Sequence, residues 1–268
     1  MPELPELLTV AQKLTERLKG ESIQTVEVYD HLVIHGNPVD DFIAGFQGEV
    51  FQDFRADGKF LIGNMVHVHL VVNPMLTGRI RLVAERRKKQ LKSDMFSIKT
   101  DHYSLWYSDL KRMGRVYLVP KNDFSSVAGF AGRGPSPLDP EVTVRSFKER
   151  IRRHRGQIKN VLRNQRFLKG IGNAYADEIL LYAGILPFRK RSSLSDSEVE
   201  SLYTACQKVL TRIVEILSER GINEISQEKR DFMMVHGRGG GICPLCGGRV
   251  SEVTANRFKT NYCQTCQK

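Results

Sequence analysis

Apolar residues recur at helical spacing near the start of the chain. Leu7, Val10, Leu14 and Leu18 fall on one face, Pro5 suits a first helical turn and Gly20 a left-handed terminus, which predicts a helix over 5–19. Only Met1 to Leu4 precede it, so the first residues lie close to a helix N-terminus. From 22 to about 120 the pattern shortens to alternating or β-branched runs at 25–29, 60–72, 80–83, 96–100, 103–108 and 116–119, as in a β-sandwich or β-barrel-like domain. The turn-forming stretch 132–140 reads as a linker between domains. Helical spacing returns at about 143–154, 157–165, 173–183 and 195–219, with Gly170 and Gly172 separating the second helix from the third. From about Gly237 the chain is glycine-rich and then cysteine-bearing, too short to bury a core unless a metal organises it.

Composition narrows the class. With 268 residues and 41% hydrophobic content, ordinary buried cores are expected. No run approaches the roughly 18–20 apolar residues of a membrane span, and the opening MPELPELL lacks the basic start and apolar stretch of a signal peptide, so a cytoplasmic protein is expected. Lys and Arg number 41 against 30 Asp and Glu, a formal charge of +11. That excess is the footprint of a protein that meets polyanions, nucleic acid first; a merely solvated basic face is the alternative.

Chemistry-bearing residues concentrate in a few places. Cys243-Pro-Leu-Cys246 and Cys263-Gln-Thr-Cys266 are two knuckles whose four thiolates can surround one Zn²⁺ tetrahedrally, leaving no open position for catalysis. Residues 249–262 between them read as a β-hairpin with a basic tip. Cys206, in the helical pattern Leu202, Cys206, Leu210, Ile213, is expected to be a small buried residue. Gly170-Ile171-Gly172-Asn173 precedes a helix, where exposed backbone N–H groups and the Asn173 side chain suit an oxygen anion; a plain helix-turn-helix corner capped by Asn173 fits the spacing equally. Pro2 is small enough to permit removal of Met1, which would expose a secondary amine. That group is nucleophilic when neutral and forms an iminium ion with an aldehyde-level carbon, and N-terminal amines titrate at about pH 8 in model peptides. Glu3, one residue along, is placed to shuttle a proton.

Together these residues resemble the formamidopyrimidine-DNA glycosylase and endonuclease VIII family along the whole chain. The resemblance is carried by Pro2-Glu3-Leu4-Pro5-Glu6, Gly58-Lys59-Phe60-Leu61, Asp109-Leu110-Lys111-Arg112-Met113-Gly114, Gly134-Pro135-Ser136-Pro137-Leu138, residues 170–178 and the four-cysteine finger. It implies a multidomain α+β fold: an N-terminal β-sandwich with flanking helices (1–133), a helix-two-turn-helix domain (134–228) and a C-terminal β-hairpin zinc finger (229–268), with DNA in the cleft between the halves. It further implies a monomeric, cytoplasmic, nucleoid-associated enzyme of base-excision repair, a bifunctional DNA glycosylase and abasic-site lyase acting on double-stranded damaged DNA. Pro2 would be the nucleophile at C1′, Glu3 the proton donor that opens the sugar, and Glu6 a lining residue of the same pocket. Lys59, Lys159, Asn173 and the hairpin residue Arg257 would hold phosphate, while Met75, Arg112 and Met113 would fill the void left by a flipped nucleotide. No cofactor besides one structural Zn²⁺ is implied.

This sequence departs from the formamidopyrimidine branch of the family in several places. The loop around Met75 is longer before its glycine, Met113 stands where that branch has phenylalanine, and the span from Gly221 to Gly237 is shorter, without that branch's loop over 8-oxoguanine. Arg257 lies one place earlier in the finger than the usual hairpin arginine, with Lys259 as the neighbouring cation. Excision of 8-oxoguanine and formamidopyrimidines is therefore weighed against a preference for oxidised pyrimidines and hydantoins, and against a damaged-DNA-binding protein without chemistry.

Overall fold

A computed structural model describes residues 1–84, 90–255 and 258–268. The chain divides into two compact units, Met1–Gly132 with Ile216–Lys229, and Arg133–Glu215 with Arg230–Lys268. No described helix is long and apolar enough to cross a membrane.

The first unit opens with helix α1 (Leu4–Leu18), whose Leu4, Leu7, Val10, Ala11, Leu14 and Leu18 are buried, as the periodicity predicts. Gly20 follows it with φ +85°, the left-handed conformation foreseen for that glycine. Strands β1 (Ile23–Val28), β5 (Gly78–Ala84), β6 (Asp94–Thr100) and β7 (Tyr103–Asp109) form an antiparallel sheet in the order β1-β6-β7-β5. Strands β2 (Asp53–Asp57), β3 (Phe60–Asn64), β4 (Val68–Asn73) and β8 (Arg115–Pro120) form a second one in the order β2-β3-β4-β8. Phe54, Leu61, Leu70 and Val72 of the second sheet line one narrow apolar space with Ile80, Phe96, Leu105 and Tyr107 of the first, which makes the pair a sandwich. A short helix α2 (Val39–Ala44) buries Phe42 edge-on against Phe96.

Two features differ from the pattern read along the chain. The single run 60–72 is two strands, because Met65–His67 turns the chain, with Met65 N–H donating to Val68 O at 3.1 Å. Strand β2 carries only Phe54 as a large apolar residue; it is an edge strand held from the side by α1, where Thr15 Oγ1 donates to Phe54 O at 3.1 Å and accepts from Phe54 N at 2.7 Å.

The second unit is helical. Helices α3 (Val144–Ile151), α4 (Ile158–Arg163), α5 (Asn173–Ala183) and α6 (Asp196–Ser218) occupy the stretches where helical spacing recurs, and α6 continues into the first unit over its last turn. Cys206 on α6 is 1% exposed, and burial pushes its thiol up to about 12. Strands β9 (Val250–Ala255) and β10 (Phe258–Cys263) form the expected antiparallel hairpin, packed on α5 through a small core of Leu181, Val235, Cys243, Val250 and Cys263. A last short helix, α7 (Ile222–Ile225), belongs to the first unit.

Candidate active site at the chain start

The first turn of α1 orders the N-terminal residues. Glu3 is the N-cap and, with Glu6, closes a capping box in which Glu6 Oε2 accepts from Glu3 N at 3.0 Å. Both carboxylates are buried at 2% exposure. Pro2 and Glu6 line a cavity with Leu7, Pro74, Gly78, Arg79, Ile80, Ile225 and Ser226, so α1, the loop before β5, β5 itself and α7 converge there. α7 is held against the free edge of β5 by side chains that imitate a strand partner. Asn223 Oδ1 accepts from Leu82 N at 3.1 Å, Asn223 Nδ2 donates to Leu82 O at 3.0 Å, and Ser226 Oγ donates to Ile80 O. Just beyond α7, Glu228 Oε2 lies 2.9 Å from the Met1 amino nitrogen and 3.0 Å from Arg79 Nη2. Sequence reading does not single out Glu228, since it is separated from the chain start by the whole fold.

The loops containing Met75 and Arg112-Met113 are brought together. Asp109, 1% exposed, accepts from Thr77 Oγ1 and from Lys111 N (3.2 Å) through one oxygen and from Gly114 N (2.6 Å) through the other. Lys111 N also donates to Thr77 Oγ1 at 3.0 Å, which links the two loops a second time. Gly78 and Gly114 have no room for a Cβ because the Tyr107 hydroxyl lies against both. Burial, with the Asp109 carboxylate beside it, pushes that hydroxyl far above the ordinary tyrosine range. Met75 (φ +47°) and Arg112 (φ +53°) both take the left-handed backbone that residues other than glycine seldom adopt.

Met113 is 43% exposed and Met75 half-buried, and two further apolar side chains stand out beside them, Leu76 at 42% and Leu110 at 78% exposure. Reading by periodicity missed these leucines; their signal is an apolar residue inside a Gly-bounded turn. Arg112 is held by an ion pair, its Nε 2.8 Å from Asp30 Oδ2.

In the second unit Lys159 and Asn173 converge on one backbone carbonyl. Lys159 Nζ donates to Lys259 O at 3.1 Å and Asn173 Nδ2 to the same oxygen at 2.8 Å. Lys159 is 4% exposed; its Nζ also reaches Thr260 Oγ1 at 2.9 Å and lies 2.6 Å from Asp177 Oδ1. Asp177 in turn receives His236 Nδ1 at 2.8 Å and Asn261 N at 3.2 Å. The neighbouring Glu178 accepts three successive backbone N–H groups, from Met234, Val235 and His236, at 2.8–2.9 Å. Its burial nevertheless raises the Glu178 pKa against the lowering effect of those bonds. Lys59 occupies the two-residue turn between β2 and β3 and is half-buried, behind Gly58 at φ +65°. Arg257 lies outside the described residues.

The four cysteine sulfurs of the finger all lie within 4.8 Å of one another, with Cys243 to Cys266 at 3.9 Å and Cys246 to Cys263 at 3.5 Å. A tetrahedral site with metal–sulfur bonds of about 2.3 Å needs sulfurs about 3.8 Å apart, so the four thiols are already spaced to hold one metal ion.

Two family models match the chain. The formamidopyrimidine-DNA glycosylase N-terminal domain matches residues 1–116, and the helix-two-turn-helix domain of the same glycosylases matches residues 133–224. Curated formamidopyrimidine-DNA glycosylases resemble the chain throughout. That of Symbiobacterium thermophilum is 32% identical over all of this chain and 89% of its own length, and that of Listeria innocua is 28% identical over the full length of both. The crystal structure of the Lactococcus lactis enzyme, Fpg, with DNA containing an abasic site superimposes with a TM-score of 0.90 at 25% identity over 99% of each chain. The chain therefore belongs to the formamidopyrimidine-DNA glycosylase family, the DNA glycosylases and abasic-site lyases of base-excision repair.

Proposed function

We propose that, after removal of Met1, the secondary amine of Pro2 excises oxidised bases from duplex DNA through a covalent iminium intermediate. The observation that carries this reading is the burial of Pro2, which lines one cavity together with Glu6 and Arg79 and is followed by the capping box of α1. Neutral Pro2 nitrogen attacks C1′, and the base departs with the glycosidic electron pair and takes up the proton that the amine gives up. Glu3 delivers a proton to the ring oxygen, which opens the sugar and leaves the iminium. The iminium then accepts electrons as a C2′ proton is lost and the 3′ phosphate leaves, and a second elimination releases the 5′ phosphate. Glu6 lines the pocket and fixes Glu3 through its backbone.

Met75, Arg112 and Met113 fill the void left by the extruded nucleotide, supported by the shared brace on Asp109. Lys59, Asn173 and Arg257 hold phosphate, and Lys159 contributes through the β10 strand that it binds. Cys243, Cys246, Cys263 and Cys266 hold one Zn²⁺, whose contribution is a structural cross-link that fixes the β9–β10 hairpin. The substrates are 8-oxoguanine and formamidopyrimidines, and the chain acts as a monomer in the cytoplasm.

Borohydride reduction in the presence of abasic-site duplex tests the nucleophile. Covalent trapping of the wild-type protein through its N-terminal peptide is expected, with at least a tenfold loss in Pro2→Gly. Undiminished trapping by the variant refutes the assignment, and retention of the duplex without nicking supports a binding protein instead.

A further inference from the structure

Glu228 is the one acid with a left-handed backbone among the described residues. Its backbone takes φ +53°, which a residue with a Cβ adopts only when its surroundings impose it. The imposition comes from both sides. Before it, α7 is stitched to β5 through Asn223 and Ser226; after it, Lys229 O accepts from Arg220 Nη1 at 2.5 Å. The result aims the carboxylate at the start of the chain. Its Oε2 binds the Met1 amino group at 2.9 Å and Arg79 Nη2 at 3.0 Å, while its Oε1 is buried with no hydrogen-bond partner among the described residues. Arg79 itself lines the Pro2 cavity and is steadied by donating to Gly78 O at 2.7 Å.

Loss of Met1 removes one of the two cations on this carboxylate and leaves the other. A buried carboxylate oxygen that lacks a donor is costly, and the cost is recovered only when a ligand supplies N–H groups. The neighbouring guanidinium offers donors to a carbonyl. We infer that Glu228, bound to the cavity-lining Arg79, forms with it a specificity-determining pair beside the Pro2 cavity, with the carboxylate receiving two adjacent N–H donors on the Watson–Crick edge of a guanine-derived lesion once Met1 is gone. Such a lesion presents N1–H and the exocyclic amine side by side, the pattern that one carboxylate accepts bidentately, with O6 beside them for Arg79. A thymine-derived lesion presents a single N–H between two carbonyls, one of which would face the carboxylate. The short span after Gly221 thus supplies Ile225 and Ser226 to the cavity wall and a charged acceptor, Glu228, behind Arg79. This inference rests on the Pro2 reading.

The test couples the protein group to the lesion group it should touch. Excision is measured on duplexes carrying 8-oxoguanine or 8-oxohypoxanthine, which keeps N1–H and lacks the exocyclic amine, with wild-type protein and with Glu228→Gln. Wild-type kcat/KM should favour 8-oxoguanine by about tenfold to a hundredfold, the range expected for a hydrogen bond to a charged group. In Glu228→Gln the two substrates should differ by less than about threefold, because the deleted amine and the deleted charge are the same interaction. Equal excision of the two bases by wild-type protein overturns the inference without any variant, and so does a preference that survives in Glu228→Gln. Borohydride trapping on abasic DNA, which contains no base, separates the two readings: trapping without base discrimination defeats the Glu228 assignment alone, and absence of trapping defeats the Pro2 mechanism.

Discussion

Thr77 Oγ1 donates to Asp109 Oδ1 and accepts from Lys111 N at 3.0 Å, and this hydroxyl ties the loop that carries Met75 to the loop that carries Arg112 and Met113. The carboxylate also organises its own loop through Lys111 N and Gly114 N. Two exposed apolar loops are thereby set in one register by a buried acid rather than by packing, which leaves Leu76, Leu110 and Met113 facing solvent.

Asp109→Asn should cost about 1–3 kcal/mol, because an amide NH₂ placed opposite Gly114 N–H leaves a buried donor without an acceptor. Thr77→Val removes the cross-loop donor to Asp109 and one of the two acceptors of Lys111 N, which keeps Asp109 Oδ1, and should cost about 1 kcal/mol. Urea unfolding followed by tryptophan fluorescence measures both. A larger loss in Thr77→Val than in Asp109→Asn would contradict the brace as described.

The Lys159–Asp177 pair is buried on both sides, so removing one partner strands the other. Asp177→Ala should destabilise the protein by about 3–5 kcal/mol, and the effect should exceed that of exchanging both residues for apolar ones of similar size. DNA binding as a function of salt separates this role from direct phosphate contact. A lysine that neutralises a phosphate contributes about 0.9 to the logarithmic salt slope. Lys159→Met should change that slope by less than half of this amount.

Removal of the metal should act locally. With Cys243 and Cys263 inside the small core on Leu181, chelation is expected to release one Zn²⁺ per chain and to expose the β9–β10 amides to hydrogen exchange. The β5–β7 pairing of the first unit should stay protected. Protection of the hairpin after metal loss would show that its core suffices alone.

Cys206 should not react in the folded protein. Its thiol is pushed up to about 12 and is 1% exposed, so iodoacetamide at pH 8 should label it only after unfolding. The sign for stability follows from the raised value. Folding favours the protonated thiol, so the contribution is complete below pH 9 and is lost as pH climbs toward 12. Peptide mass spectrometry across a denaturant series reads the labelling directly.

The order of elements was legible in the chain because it is set by near neighbours. The period of α1, the left-handed Gly20, the helices from α3 to α6, and the two cysteine knuckles with the hairpin between them each depend on residues a few positions apart. The exceptions have local causes as well. Strand β2 escaped because an edge strand covered by a helix needs only one large apolar residue, and the split of 60–72 escaped because Met65 and Val66 continue an apolar run through a turn.

The sequence by itself determined which chemical groups are available: an amine at Pro2 once Met1 is removed, carboxylates at Glu3 and Glu6, four thiols, and an excess of cations. Tertiary structure alone decided how they are used. It buried Lys159 against Asp177, placed Asp109 between two loops, and brought Glu228 within 2.9 Å of a residue 227 positions away. The physical reason is that periodicity records only whether a side chain faces core or solvent. The partner of a buried charge is chosen by the path of the whole chain, and the desolvation cost of leaving that charge alone makes the choice decisive.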